Sequence, residues 1–120
     1  MSKRPEKVGE AIQKIVSELI LRGLKDPRIG FVTITGVKMT DDLSIAKIFY
    51  SVVGNEQEKK ASHAGLKSAA GFIRKEVGAQ LNLRHVPEIH FKFDDTLERA
   101  NNIERLLRQI HEEAHDTVDS

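Results

Sequence analysis

The sequence contains no cysteine. That excludes a disulfide framework, a cysteine-held metal and a thiol nucleophile. No run approaches the ~18 apolar residues of a membrane span. The first residues, MSKRPEKVGE, lack the apolar core of a signal peptide, so a cytoplasmic protein is expected. Aromatics are scarce, at 5%, and the phenylalanines mostly fall at positions patterned for a core. Base stacking is therefore a weaker expectation than recognition of a backbone or a shape. No glycine-rich phosphate loop of the P-loop or dinucleotide type is present. There is no internal repeat and no low-complexity segment.

What remains is a chain of one domain's length, 120 residues, with 39% hydrophobic and 31% charged residues. Its net charge of +1 hides an asymmetry. Through Phe93, 16 Lys and Arg stand against 10 Asp and Glu, a difference of +6; from Asp94 onward 3 stand against 8, a difference of −5. A basic body with an acidic tail suits a nucleic-acid binder whose tail points elsewhere.

Periodicity divides the chain into seven elements. Pro5 to Arg22 carries Val8, Ile12, Ile15 and Leu19 at helical spacing, with Pro5 in the first turn and Gly23 as the stop. Asp26-Pro27 breaks the chain into a turn that leaves Lys25 and Arg28 exposed. Phe31 to Met39 and Leu43 to Val53 read as an antiparallel hairpin around Thr40-Asp41-Asp42, with a bulge at Gly36. Glu56 to Leu83 reads as two helices broken near Gly71. Pro87 opens a third strand in which Ile89, Phe91 and Phe93 share a face. Asp95 and Glu98 resemble a capping box ahead of an amphipathic helix on Leu97, Ala100, Ile103, Leu106, Leu107 and Ile110. The domain spans 1–110, and 111–120 is a polar end expected to be disordered. The order implies a three-stranded mixed sheet in an α+β architecture, with the last strand parallel to the first and antiparallel to the second.

The informative stretch is Leu66 to Leu81. Beside its apolar stripe lie Lys67, Gly71, Arg74, Lys75 and Gly78. Glycine inside a helix costs about 1 kcal/mol against alanine, so each glycine needs a reason. A helix restarting after a kink concentrates N–H groups and partial positive charge, which suits a phosphate. Lys67, Ser68, Gly71, Arg74 and Lys75 are the candidate RNA contacts. Lys25 and Arg28 flank them on one side, Arg84 and His85 extend the strip, and Arg4, Lys7 and Arg22 are subsidiary.

His111-Glu112-Glu113-Ala114-His115 spells the H-E-x-x-H pattern of zinc hydrolases. That chemistry also needs a third ligand and a cleft. Only five residues follow His115, so a solvated helix end is the better reading. The carboxylate pairs Asp41-Asp42 and Asp94-Asp95 sit where a turn and a helix cap want them. No catalytic residue, metal or cofactor is expected.

In order and spacing the chain resembles the bacterial ribosome-binding factor A family. The marks are KDPRIG at 25–30, VTITGV at 32–37, DDLSIAKIFYSV at 41–52, AAGFIR at 69–74 and LRHVPEIHFKFDDT at 83–96. The resemblance implies a K-homology-like fold of the second type: helix, two strands, helix, kink, helix, strand and a C-terminal helix. The G-x-x-G loop of usual K-homology domains is absent, and Ala69-Ala70-Gly71 matches the family's A-x-G kink. It implies a non-catalytic, monomeric assembly factor with no cofactor. Such a factor binds the free 30S small subunit rather than the 70S ribosome, assists late 16S rRNA maturation including the 5′ end region, and is linked to growth in the cold. A different class of reading is a protein-interaction domain that uses the acidic helix from Asp94 onward.

Overall fold

The computed structural model describes residues 4–22 and 24–119, and the side chains among them except those of 97 and 115–119. Helix α1 spans Arg4–Leu21 and buries Gly9, Ile12, Ile15 and Val16. Those positions recur at three- and four-residue steps and form one face. The stop expected at Gly23 lies outside the described residues.

Strands β1 (Val32–Met39) and β2 (Ile45–Val52) form an antiparallel hairpin. Its register shifts between Ile34 and Gly36, so Thr35 is the extra residue of the bulge expected there. The connecting turn is held by Asp42, whose carboxylate accepts from the Ser44 amide at 3.0 Å and the Thr40 hydroxyl at 2.8 Å. Along β2, Ala46, Ile48, Tyr50 and Val52 are buried and the alternate residues are not. That is the period-two pattern of a sheet covered on one face.

Helix α2 spans Glu56–Leu81 without interruption. The two helices expected around Gly71 are one. Ala69 and Ala70 are the strongest of helix formers, and one glycine costs too little to break a helix anchored at both ends. Its N-terminus has a capping box, with the Glu58 amide donating to the Asn55 side chain at 2.8 Å. Asn82 closes the C-terminus in the left-handed conformation, φ 50°. Ser62, Gly65, Leu66, Ile73 and Val77 face inward.

Strand β3 (Glu88–Phe93) pairs with β2 in parallel, and the strand order is β1-β2-β3. The expected direction is thereby corrected: β3 is parallel to the second strand and antiparallel to the first. The two corrections share a cause. A 26-residue helix is about 39 Å long. Unbroken, it carries the chain back along the sheet, so β3 starts at the end where β2 starts. A helix–crossover–strand unit of this kind joins parallel neighbours.

The core is one cluster in which Ile12, Val16, Ala46, Ile48, Leu66, Ile73 and Val77 are wholly buried and Tyr50 nearly so. Each large aliphatic side chain there contributes about 1.5–3 kcal/mol by leaving water. Helices α1 and α2 both pack on this face.

Helix α3 (Thr96–Asp119) stands apart. Asp94 accepts from the Thr96 amide at 3.0 Å at its start, and the helical backbone continues past the boundary near Ile110 that the sequence suggests. No described α3 side chain is buried. The molecule's longest extent, 69 Å, reflects this projecting rod.

Candidate nucleic-acid interface

Helix α2 turns its core face to the sheet, so its opposite face is solvated by geometry. On that face lie Lys60, Lys67, Gly71, Arg74 and Lys75, all exposed. Lys60, Lys67, Gly71 and Arg74 follow one another at steps of seven, four and three, and Lys75 stands four beyond Gly71, which aligns them along a single stripe. Sequence reasoning identified all of these except Lys60, whose position one helical repeat before Lys67 was the available signal. Lys60, Lys67 and Lys75 have no ion-pair partner among the described residues.

The two glycines on this face have different reasons. A Cβ at Gly78 would stand 2.6 Å from Val86 Cγ2, so that glycine admits the link to β3. A Cβ at Gly71 would meet nothing within 4 Å. Gly71 therefore leaves bare helix backbone facing solvent in the middle of the basic stripe.

One flank of the stripe is the loop between α1 and β1. Arg22, Lys25, Ser68, Ala69 and Phe72 border a shallow hollow there of 600 Å³. Arg28 belongs to this flank, but its charge is engaged. Its Nη2 lies 2.6 Å from Asp26 Oδ2 and its Nε 3.0 Å from Asp26 Oδ1, and Nη2 also donates to Ser68 Oγ at 3.1 Å. The fork holds the Asp26 carboxyl down at about 2 and raises the Arg28 guanidinium above its ordinary value. Arg28 thus fastens the loop to α2 before it offers charge to a ligand.

On the other flank Arg4, Arg74, Arg84 and His85 line a cleft of 680 Å³ with Asp42, Ser44 and Glu88. Arg74 Nη2 donates to the Val86 carbonyl at 3.1 Å, which anchors the link. Lys7 lies elsewhere, among Glu10, Lys14 and Glu18 on the polar side of α1. The stripe and both flanks thus gather every candidate except Lys7.

Other candidates come apart. His111, Glu112 and Glu113 are exposed on α3, and the side chain of His115 lies outside the described residues. No group of three or more His, Asp and Glu side chains converges among the described residues. The phenylalanines are less internal than their spacing suggests. Phe91 is buried, yet Phe31 is 84% and Phe72 52% exposed. Phe49 is half-buried on the face of β2 turned away from the core. Alternation in β2 held that signal, since Phe49 shares its parity with Lys47 and Ser51.

The fold and this surface define a class: a small α+β domain of K-homology-like element order that presents exposed cations along one helix. The family model described as ribosome-binding factor A matches residues 4–107. The chain is 55% identical over 119 residues to the ribosome-binding factor A of Geotalea daltonii, covering 99% of this chain and 97% of that one. It belongs to the ribosome-binding factor A family. Its fold is similar to the solution structure of a Thermotoga maritima protein, with TM-score 0.66 and 34% identity over 74% of this chain and 85% of that one. It is also similar to the Thermus thermophilus ribosome binding factor A coordinates fitted into a cryo-EM map of a 30S complex. That match has TM-score 0.60 and 19% identity, covering 72% of this chain and 90% of that one.

Proposed function

We propose that this chain is a non-catalytic, monomeric assembly factor of the cytoplasm. It binds the free 30S subunit, not the 70S ribosome, and assists late maturation of precursor 16S rRNA, including the 5′ end region, as growth in the cold demands. The observation that carries the reading is the α2 stripe, with three lysines that have no ion-pair partner among the described residues around the bare backbone of Gly71. Phosphates seat against those cations and against Arg84, and the rigid helix holds an rRNA segment in one arrangement while the subunit matures. Affinity of this origin falls with salt. Family membership and the basic body agree with it.

Gradient sedimentation of cell extract tests the reading. The protein is expected to travel with free small subunits at low salt, to leave them as salt rises, and to be depleted from whole ribosomes. Protein that stays at the top of the gradient while subunits run below would overturn it.

One observation favours a second reading, a protein partner for α3. Ile103, Leu106, Leu107 and Ile110 are 57–61% exposed and form one stripe on a helix that carries Glu104, Arg105 and Arg108 beside it. Removing 97–120 should then abolish partner capture and leave subunit binding in place. Loss of subunit binding alone would sink it.

A further inference from the structure

The sheet has a second face that no described helix covers. Ile34, Ala46, Ile48, Tyr50 and Phe91 point into the core, so alternation turns the residues between them outward. The register builds rows on that outer face. Lys38 stands opposite Lys47, and Lys47 opposite His90; in the next row Gly36 stands opposite Phe49, and Phe49 opposite Lys92. A half-buried aromatic thus occupies the middle of the central strand, with Lys47 beside it along the strand, Lys92 across from it and Lys38 on the diagonal.

Three details say what such a face would hold. Lys38, Lys47 and Lys92 have no ion-pair partner among the described residues. The acidic residues at this face have other partners: Glu88 lies 3.3 Å from His90, and Asp94, two residues beyond Lys92, accepts from the Thr35 hydroxyl at 2.7 Å and the Thr96 amide at 3.0 Å. Toward β1 the neighbour of Phe49 is Gly36, where a Cβ would meet nothing within 4 Å. The flank of the ring is therefore open to a flat partner. An apolar protein surface would desolvate three lysines without pairing them. A polyanion with planar groups satisfies both features at once: bases have a π-face for an aromatic, and phosphates suit lysines.

We infer that the uncovered sheet face is a second RNA-binding surface. It stacks one unpaired base on Phe49 and seats the flanking phosphates on Lys38, Lys47 and Lys92. The core lies between this face and the α2 stripe, so the two surfaces address different RNA segments.

The test is fluorescence anisotropy with 5′-fluorescein decauridine on the full-length protein, with a duplex RNA of equal length as competitor. Phe49→Leu keeps an apolar side chain on the strand and removes the ring. It should weaken decauridine binding at least about fivefold, the lower end for loss of one stacked base. Phe49→Tyr should restore affinity to within about twofold. Replacing Lys38, Lys47 and Lys92 by alanine should lower the salt slope by about 2, three phosphate contacts on a single strand. Wild-type affinity in Phe49→Leu, or duplex displacing decauridine as well as single strand does, would overturn the inference. Amide shift mapping by NMR separates it from the α2 reading. Decauridine-induced shifts confined to α2 overturn the sheet face and keep the stripe. Shifts on Lys47, Phe49 and Lys92 that persist in the Lys67→Ala/Lys75→Ala protein support the sheet face independently of the stripe.

Discussion

Arg28 holds Asp26 in a two-pronged ion pair, 2.6 Å at its shortest, and the same guanidinium reaches the Ser68 hydroxyl on α2. The geometry converts an expected RNA contact into a clasp between a loop and the helix that carries the basic stripe. Freeing the clasp frees a charge. Asp26→Asn should therefore raise affinity for a polyanion, by about two- to fivefold at low salt, and the gain should vanish at high salt. Anisotropy with a labelled RNA at two salt concentrations reads this. An unchanged affinity would show that Arg28 stays engaged elsewhere.

Lys67 and Lys75 give a cleaner probe of the stripe than Arg74. Arg74 holds the Val86 carbonyl, so its removal disturbs structure as well as charge. Lys67→Ala/Lys75→Ala should weaken subunit binding and make its salt dependence shallower by one to two contacts. The thermal midpoint should stay within about 2 °C of the parent, since both side chains are exposed. Sedimentation at graded salt, with calorimetry alongside, measures both.

The two glycines of α2 should respond with opposite sign. Gly71→Ala adds a methyl to open space and removes a helix penalty of about 1 kcal/mol, so it should stabilise. Gly78→Ala drives a methyl against Val86 and should destabilise by about 1–3 kcal/mol. Urea midpoints with an unchanged slope give both numbers. A Gly71→Ala protein that is more stable yet binds subunits less well would assign the bare backbone to ligand approach.

Acid should weaken the fold through its turns. Asp26 and Asp42 sit at about 2 against an ordinary 3.8. The first is held by the Arg28 side chain and the second chiefly by the Ser44 hydroxyl and amide. Carboxyls lowered by folding bind fewer protons in the native state. Their contribution is complete above about pH 4 and is lost as pH falls toward 2. Thermal midpoints followed from pH 5 to pH 2 should decline across that window, and Asp42→Asn should flatten the decline.

Leu66 is wholly buried between α2 and the sheet. Leu66→Ala should cost about 2–5 kcal/mol, the range for a large aliphatic cut back in a packed core. A smaller loss would mean that neighbouring side chains collapse into the space.

Element positions are legible in this sequence because the two periodicities are distinct. Ile12, Ile15 and Val16 read as helix, while Ala46, Ile48, Tyr50 and Val52 read as strand. The bulge is legible at Gly36. What local pattern does not contain is the direction in which β3 returns. That depends on whether α2 is continuous, and no single residue near Gly71 decides it. The basic stripe is legible because one helix carries it. The engagement of Arg28 and the closeness of Val86 to Gly78 are not, since each depends on a partner brought in by tertiary packing. Phe49 escaped for a different reason: its parity with Lys47 and Ser51 marks the outer face, but an aromatic in a strand is readily taken for core.

The strand order has a consequence for synthesis. β2 is the central strand and the most apolar, and its second neighbour is β3. The hairpin with β1 can close as soon as Val52 is available, but the other edge of β2 stays unpaired until 53–87 and then Glu88–Phe93 have been made. During that interval the nascent chain presents an open, sticky strand edge of the kind that templates aggregation. Chaperone dependence should therefore concentrate in chains halted between these two points, and should end when Phe93 emerges.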